Sequence, residues 1–349
     1  RGAASGPEAG QPPLRPFQTV VQGATREEGF IPTWRKDDKV WFEIAPSRWN
    51  QPFFFTINLT HGIGEGNLFG NQMGTPGAGR PRHVVSLRRF GPQGVQLVAR
   101  NVAYLGTPDG PARVMAERAF SDSLLGQATV ASQPHPTSQA VLVEANALVV
   151  NDFPMGAAYL ERQYRQGYAF DARNSGIERV RQSDSETGLQ VRAHYGLGRV
   201  ATPPPGGSGP SPSLPGTVPD ARSLFLGYYW SFSRLPDPMR PRQADPRVGY
   251  FATQVADFSD PNRRLPMQRY IARWRLEKKD PQAALSEPKQ PIVYWLDRNI
   301  PLAYREVVKA GILEWNKAFE RIGFKDAIVV RQQGDDDEID TSATRFASI

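Results

Sequence analysis

Residues 53–59 read FFFTINL, a run of aromatic and β-branched residues that is long enough for one buried strand. Working outward, Val40–Ile44 (VWFEI) precedes this run with a similar composition and ends before Pro46. After it, residues 84–87 (VVSL) and 95–98 (VQLV) flank an FGPQG segment, which predicts a β-hairpin. Short strands separated by turn residues are typical of an antiparallel sandwich or a barrel-like sheet.

Further segments of strand composition follow at comparable spacing. These predicted strands are Val114–Phe120, Ala128–Val130, Val141–Val150, Leu189–Tyr195, Leu224–Phe232 and Tyr270–Leu276. Glycine-rich residues 62–82 and the Pro/Gly-rich insertion 201–220 are predicted to be irregular. Residues 1–15 are rich in Gly, Ala and Pro, so we expect a disordered leader with order beginning near Phe17.

The C-terminal part changes to one strand, one helix and another strand. Residues 292–296 (IVYWL) are typical of a buried strand, and residues 327–330 (AIVV) of a second. Pro301 suits the first helical turn, and Gly323 suits the position just after the helix. Between them, one apolar stripe at helical spacing comprises Tyr304, Val308, Ile312, Trp315, Phe319 and Ile322. The order predicts a βαβ unit with a parallel strand pair.

Composition limits the class of protein. The 349 residues are enough for two or three domains at ~100–200 residues each, and 32 Pro with 32 Gly favour short strands. The absence of Cys excludes disulfides, thiol catalysis and Cys-ligated zinc. No apolar run reaches the ~18 residues of a membrane span. The net charge of +7 is interpreted as spread along the sequence, which argues against nucleic acid as a partner.

The histidines do not form the pattern of a catalytic zinc site. Such a site places two His at i and i+4 of a helix with a Glu between them, and here no His has another His within five residues. The histidines are His61, His83, His135 and His194. Because Pro134 and Pro136 flank His135, that residue is not expected on a helix. We interpret all four as ordinary surface or half-buried residues and assign no catalytic, metal or cofactor residue.

Other candidate sites are weak. There is no Gly-x-Ser-x-Gly elbow and no Walker phosphate loop, and the glycines of Gly62–Gly66 are interpreted as turns. Asn58–Thr60 (NLT) matches a glycosylation acceptor, which is frequent by chance. The acidic run Asp335–Glu338 with Asp340 offers oxygen ligands for Ca²⁺ but lacks EF-hand spacing. A solvated acidic loop is therefore the favoured interpretation.

Several stretches together resemble one known family, that of large bacterial zinc-dependent metallopeptidases related to the metzincins. The opening of its peptidase domain is similar to PIVYWLDRNIP (291–301), YRE (304–306), GILEWNKAFE (311–320) and IGFKDAI (322–328), and the likeness continues through residues 340–342. Its N-terminal regions resemble RKDDKVWFEI (35–44), DPRVGYF (245–251) and RWRLEKKDP (273–281). The resemblance covers most of the chain from about Phe17, and its C-terminal part is the most specific.

The resemblance implies a mainly β chain, antiparallel in its N-terminal region, followed by a short βαβ unit that begins an α/β metzincin-like peptidase domain. The parent would hydrolyse peptide or protein substrates with metal-activated water. In that family the zinc helix of the His-Glu-x-x-His type lies downstream of this unit. No ligand or base is therefore carried over onto a residue present, and we expect this chain to be inactive alone.

The expected organisation has four parts, which are a leader (1–15), a small β region (16–60), a β-rich domain with the insertion (61–281) and a truncated start of the peptidase domain (288–349). An extracytoplasmic location, whether periplasmic, secreted or on the outer surface, follows from the resemblance, and the first residue, Arg1, is compatible with a removed signal peptide. The alternative function is a β-rich binding or pro-region-like module that packs on the peptidase domain or holds substrate or glycan. Exposed aromatic residues on a β face would favour glycan binding.

Overall fold

A computed structural model of the chain describes residues 13–79, 82–203, 210–335, 339, 341–343 and 345–349. Its strands, in chain order, are Thr25–Glu27 (β1), Thr33–Lys36 (β2), Lys39–Ile44 (β3), Phe53–His61 (β4), Arg82–Phe90 (β5), Gly94–Ala99 (β6), Tyr104–Leu105 (β7), Ser123–Thr129 (β8), Val141–Glu144 (β9), Ala169–Ser183 (β10), Glu186–Gly196 (β11), Ser223–Ser233 (β12), Ala252–Asp257 (β13), Met267–Ile271 (β14), Ile292–Leu296 (β15), Ile328–Gln332 (β16) and Ala347–Ser348 (β17).

Helices are few and short. They are Phe17–Val20 (α1), Pro111–Ala119 (α2), Ala145–Val149 (α3), Gly156–Tyr164 (α4), Leu302–Leu313 (α5) and Asn316–Arg321 (α6), and a 3-10 turn spans Pro46–Arg48. Within the described residues, no helix combines the length and the hydropathy needed to cross a membrane.

The largest sheet has the strand order β10-β11-β12-β4-β5-β6-β8, and every neighbouring pair is antiparallel. Successive side chains of a strand point to opposite faces. In the central strand β12, one face presents five apolar side chains that are each at most 2% exposed, namely Leu224, Leu226, Tyr228, Trp230 and Phe232. This buried alternation explains why the segment forms a strand.

A four-stranded sheet of order β1-β2-β3-β9 covers that face. Phe42 of β3 meets Phe232 of β12 edge-on, with ring centroids 5.4 Å apart. Residues of α3 and α4, such as Leu148 and Leu160, complete the same hydrophobic core. The predicted class, mainly β with antiparallel sheets, is confirmed. The division expected between residues 60 and 61 falls inside β4, which pairs with β5 and β12.

The predicted hairpin around residues 84–98 is confirmed. Strands β5 and β6 pair from Val85↔Ala99 to Phe90↔Gly94. Gly91 has φ +64° in the connecting turn, a backbone conformation that glycine adopts without the steric cost of a Cβ atom.

One predicted strand is wrong, and another is right only over its first four residues. Val114–Phe120 belongs mainly to α2, where Pro111 occupies the first turn and Arg113 pairs with Glu117 at 2.8 Å, one helical turn later. Val141–Val150 is a strand only to Glu144, after which α3 buries Leu148 and Val149. A short apolar run without clear periodicity fits a buried helix as well as a strand, which is why composition misled here.

A small sheet of order β14-β13-β7 lies apart from the two larger ones. The strand predicted at Tyr270–Leu276 is shifted, because β14 spans Met267–Ile271. After Ile271 the chain is no longer a β-strand. There the side chains of Arg273 and Arg275 donate hydrogen bonds to the carbonyl oxygens of Arg240 and Asp237.

In the C-terminal unit, β15 pairs in parallel with β16, and α5 and α6 lie between these strands in the chain. The predicted single helix is therefore two, because the hydrogen bonds tighten at the junction, where the Lys317 N–H donates to the Glu314 carbonyl. Pro301 lies just before the first helical residue, and Gly323 has φ +87° after the last. A third strand, β17, also pairs with β15, so the sheet exceeds the two strands evident from sequence.

Half of the apolar stripe of α5 and α6 is uncovered, whereas Val308, Ile312 and Phe319 are partly buried. Tyr304, Trp315 and Ile322 are each more than 60% exposed, and neither helix has a buried residue. These helices therefore rest on the sheet without a second layer over them.

The leader and the insertion are only partly described. Residues 1–12 of the predicted leader lie outside the described residues. Arg15, its last residue, forms a parallel bridge with Ser132 and so belongs to the folded part of the chain. In the insertion, residues 204–209 lie outside the described residues. The rest of it has no helix or strand, as predicted, and the Ser213 N–H donates to the Tyr164 carbonyl at 2.9 Å.

Candidate functional site

The second face of the seven-stranded sheet carries buried polar groups. On β4, β11 and β12 the residues that alternate with the hydrophobic core are Thr56, Asn58, Glu186, Tyr229 and Ser231, and each is at most 5% exposed. Buried polar groups are costly unless hydrogen bonds satisfy them. We therefore expect another part of the chain to cover this face and to supply hydrogen bonds to it.

Ser342 and Arg345 of the C-terminal unit supply part of that cover. The Asn58 side-chain amide donates to the Ser342 carbonyl at 2.5 Å, and its oxygen accepts the Gly74 N–H at 2.6 Å. One buried side chain thus connects the sheet, the glycine-rich loop after β4 and the C-terminal segment.

Glu186 is the central charged group of this interface. It is 3% exposed and accepts hydrogen bonds from the Ser231 hydroxyl at 2.7 Å and the Tyr229 hydroxyl at 3.3 Å. Arg345 approaches it with Nε 2.9 Å from Oε2 and also donates to the Ser183 hydroxyl at 2.9 Å. The carboxylate is therefore charge-paired and hydrogen-bonded, the condition under which burial of a charge is tolerated.

Gly188 makes room for this arrangement on the neighbouring part of β11. A Cβ at this position would lie 1.9 Å from the Tyr229 hydroxyl oxygen. The absence of a side chain lets the tyrosine ring lie across β11, with its hydroxyl within reach of Glu186. The local sequence thus positions the acceptor that receives Arg345.

A polar cavity of about 710 Å³ opens beside the ion pair, between β10, β11 and the C-terminal unit. Its charged lining comprises Arg179, Arg181, Arg298, Arg345, Glu27, Glu186 and Asp335. Arg298 donates to the Asp335 carbonyl at 2.7 Å. Among the described lining residues, no Ser, Thr or Cys side chain is hydrogen-bonded to a histidine.

Two of the four histidines lie on strands of the large sheet. His61 is exposed at the end of β4, and His83 is half-buried on β5 beside the rings of Phe55 and Phe153. Burial lowers the pKa of His83 from its ordinary value. These two residues thus occupy ordinary strand positions.

The other two histidines have both ring nitrogens engaged. His135 Nδ1 accepts the backbone N–H groups of Thr137 and Ser138 at 3.3 Å, and Nε2 lies 3.4 Å from the Gln18 amide. His194 lies between Asp171 and Ser223, with its nitrogens 3.1 and 2.8 Å from their oxygens.

No described residues fit a catalytic zinc ion. In the part of the chain that the structure describes, no group of three or more His, Asp or Glu side chains is arranged to hold a metal. The Ca²⁺ hypothesis rests on the acidic run, of which residues 336–338 and 340 lie outside the described residues.

Two weak motifs have structural explanations. Gly64 and Gly66 have φ +77° and +59°, so the prediction that these glycines form turns is confirmed. Asn58–Thr60 lies within β4, and the Asn58 amide is 5% exposed and hydrogen-bonded to Ser342, so it offers no accessible attachment point for a glycan in the folded chain.

A buried tyrosine pair has the perturbed pKa values of a functional site but a structural role. Tyr195 donates to Asp152 at 2.8 Å and lies 3.4 Å from the Tyr228 hydroxyl, and burial raises the pKa of both phenols well above the ordinary value. The same carboxylate accepts the Gly156 N–H at the start of α4. Two neutral tyrosines and Asp152 thus anchor a helix end, since a phenol held protonated serves as a donor.

The groups that join the two parts of the chain, Asn58, Glu186 and Arg345, were missed from sequence. Asn58 was weighed only as a glycosylation acceptor. Glu186 follows Asp184 and Ser185, which are typical of a solvated turn. One signal was available, because the alternation of β11 places Glu186 on the face opposite to Leu189 and Val191.

Comparison with known proteins gives family matches without an assigned activity. The model of a domain of unknown function (DUF5117) matches residues 82–279, which is more than half of the chain, and that of a second domain of unknown function (DUF5118) matches residues 14–62. Residues 280–349 lie outside both matches. No curated protein and no solved structure matches the chain.

Proposed function

We propose that this chain, which belongs to the family of the DUF5117 domain of unknown function, is the N-terminal, non-catalytic portion of a zinc-dependent metallopeptidase. The observation that carries the proposal is the C-terminal unit. There β15 and β16 are parallel, and the helices between them expose an apolar stripe that needs a covering layer. These are the residues whose sequence resembles the opening of a metzincin-related peptidase domain.

The β-rich part has a matching role under this proposal, which is to hold the first strands of the peptidase domain in place. A specific observation favours this packing function over glycan binding. The bonds from Asn58 to Ser342 and from Arg345 to Glu186 fasten Ser342 and Arg345 to the second face of the large sheet. Each of these bonds joins a residue of the family-matched part to a residue of the C-terminal unit. This is the interface that a module holding the peptidase domain in place would use.

Zinc belongs to the proposal only through residues outside this chain, because the described residues supply no ligand set. When bound in the parent, zinc would supply a nucleophilic water for hydrolysis of peptide or protein substrates. An extracytoplasmic location is part of the same proposal and rests on the resemblance.

The test is to compare this chain with a longer product of its reading frame. We expect a His-Glu-x-x-His motif within roughly a hundred residues after Ile349. The longer protein should hold about one zinc per chain and cleave a casein substrate, and a chelator should abolish the cleavage. The present chain, dialysed and measured by metal analysis, should hold no stoichiometric zinc.

Two results would contradict the proposal. One is a reading frame with no such motif, and the other is one tightly held zinc in residues 1–349. Substitution of the motif Glu by Gln in the longer protein is the matched control, because it removes the general base and keeps the zinc ligands.

A further inference from the structure

Residues 234–275 hold most of the excess positive charge. They contain nine Arg, four Asp and no Lys or Glu, so their net charge is +5 against +7 for the whole chain. The charge is thus concentrated, contrary to the even distribution inferred from sequence. A concentrated charge attracts an oppositely charged partner, whereas a dispersed one does not.

At one end of the small sheet, three backbone segments of this region run side by side. The Ile271 N–H donates to the Arg242 carbonyl at 3.0 Å, and the Ala272 N–H donates to the Phe251 carbonyl at 2.7 Å. Arg273 Nη2 donates to the Arg240 carbonyl at 2.8 Å. We call residues 237–242, 248–252 and 271–275 the aromatic–arginine edge.

Large apolar side chains protrude from this edge. Phe251 is 91% exposed, and Val248 and Tyr250 are each more than 50% exposed, whereas Trp274 packs edge-on against Tyr294 of β15 with ring centroids 6.3 Å apart. Scattered apolar residues are normal on a surface, but three within the four successive residues 248–251 form a patch of the kind that marks an interaction site. In residues 234–275, all of which the structure describes, only Ala256 is buried, so this patch does not pack into a core of its own.

Exposed cations accompany the apolar side chains. The Arg240 and Arg242 side chains make no hydrogen bond or ion pair within the described residues, and Arg247 remains 86% exposed although it pairs with Asp245. Guanidinium groups bind phosphate oxygens in a bidentate geometry.

We propose that the aromatic–arginine edge docks on the surface of an anionic phospholipid bilayer. Tyr250 and Phe251 enter the interfacial region, where aromatic side chains are favoured, and Arg240 and Arg242 bind lipid phosphates. A single-stranded nucleic acid also pairs arginine with aromatic residues, but the exposed aliphatic Val248 has no role in base stacking. The proposal is independent of the metallopeptidase proposal.

The test measures co-sedimentation of the whole chain with vesicles of phosphatidylcholine alone and of phosphatidylcholine with phosphatidylglycerol. We expect binding to the anionic vesicles only, and weaker binding as salt rises. Phe251→Ser should weaken binding on the order of tenfold, because an inserted phenyl group is lost. The double variant R240Q/R242Q should weaken it by a similar factor.

The matched control is Leu302→Ser, an equally apolar and 77% exposed side chain on α5, which should leave vesicle binding unchanged. Because the substituted side chains are exposed, all variants should keep the circular dichroism spectrum of the parent chain. Equal binding to both vesicle types overturns the proposal, as does unchanged binding of Phe251→Ser. Binding of a single-stranded oligonucleotide, or self-association, that depends on Phe251 without any vesicle binding also overturns it.

Discussion

Strand β12 and the helix pair α5–α6 each carry an apolar stripe, but the stripe is buried in the strand and partly exposed to solvent in the helices. In β12 the stripe from Leu224 to Phe232 is at most 2% exposed, because a second sheet lies on it. In the helices, Trp315 is 65% exposed. A periodic apolar pattern therefore specifies which face an element offers, while burial depends on whether another layer is present.

Hydrogen exchange tests this contrast most directly and has the largest expected effect. The amides of residues 304–322 should open with free energies several kcal/mol below those of β12, because little apolar surface holds the helices in place. Exchange measured by mass spectrometry on peptic fragments of the native chain gives both values. Equal protection of the two regions would show that the C-terminal unit is fully supported.

Two matched tryptophan substitutions, one in each region, measure the same contrast as a difference in the free energy of unfolding. Trp230→Ala should lower the free energy of unfolding by ~3–5 kcal/mol, as expected for removal of a large side chain from a packed core. Trp315→Ala should change it by about 0.5 kcal/mol or less, because that side chain is mostly in water. Urea unfolding followed by circular dichroism measures both, and comparable losses would remove the distinction between covered and uncovered stripes.

The ion pair that joins the two regions should have an intermediate effect. Arg345→Met leaves the carboxylate of Glu186 buried without its charged partner and should cost about 2 kcal/mol, below the ~3–5 kcal/mol of a fully buried pair because Arg345 is 38% exposed. In the same variant, hydrogen exchange of the backbone amides of β16 should also be faster than in the parent chain.

The double variant E186Q/R345M serves as the control for that ion pair. It removes the uncompensated charge, so it should be more stable than Arg345→Met alone. If the two variants are equally stable, Glu186 does not carry an uncompensated charge in Arg345→Met, and the loss in that variant does not come from a buried unpaired carboxylate.

The smallest effect concerns pH. Burial lowers the pKa of His83 in the folded chain, so the unfolded chain binds its proton more readily. The contribution of this residue to stability is therefore present at neutral pH and is lost as pH falls through the unfolded value of about 6.5. His83→Leu should unfold with a shallower pH dependence between about pH 7.5 and 5.5 in urea titrations, and an unchanged slope would show that His83 does not contribute.

The sequence predicted those elements whose periodicity is unambiguous. The hairpin β5–β6 and strand β12 follow from alternation with a period of two, and the helix between β15 and β16 follows from steps of three and four. For helices α2 and α3 the composition predicts strands, because short apolar segments carry no decisive period and tertiary packing selects the conformation.

The interface was beyond prediction for a different reason. Glu186 and Arg345 are far apart in sequence, and their pairing depends on how the C-terminal unit lies on the sheet. Local patterns report on neighbours along the chain, so they do not identify partners that meet only through tertiary structure. What the sequence could exclude, a histidine pair at zinc-helix spacing, needed only local information.

The parallel sheet of the C-terminal unit has a consequence for handling the purified chain. In the described part, β16 and β17 are its outer strands, and no further strand lies beside either of them, although the Asn316 side chain bonds the N–H and the carbonyl of Ile328 in β16. Open edges pair readily with other molecules. Aggregation of the purified chain will therefore be driven by contacts between folded molecules. A high melting temperature, set by the packed seven-stranded and four-stranded sheets, will be a poor guide to storage life. Concentration and ionic strength are the conditions to optimise first.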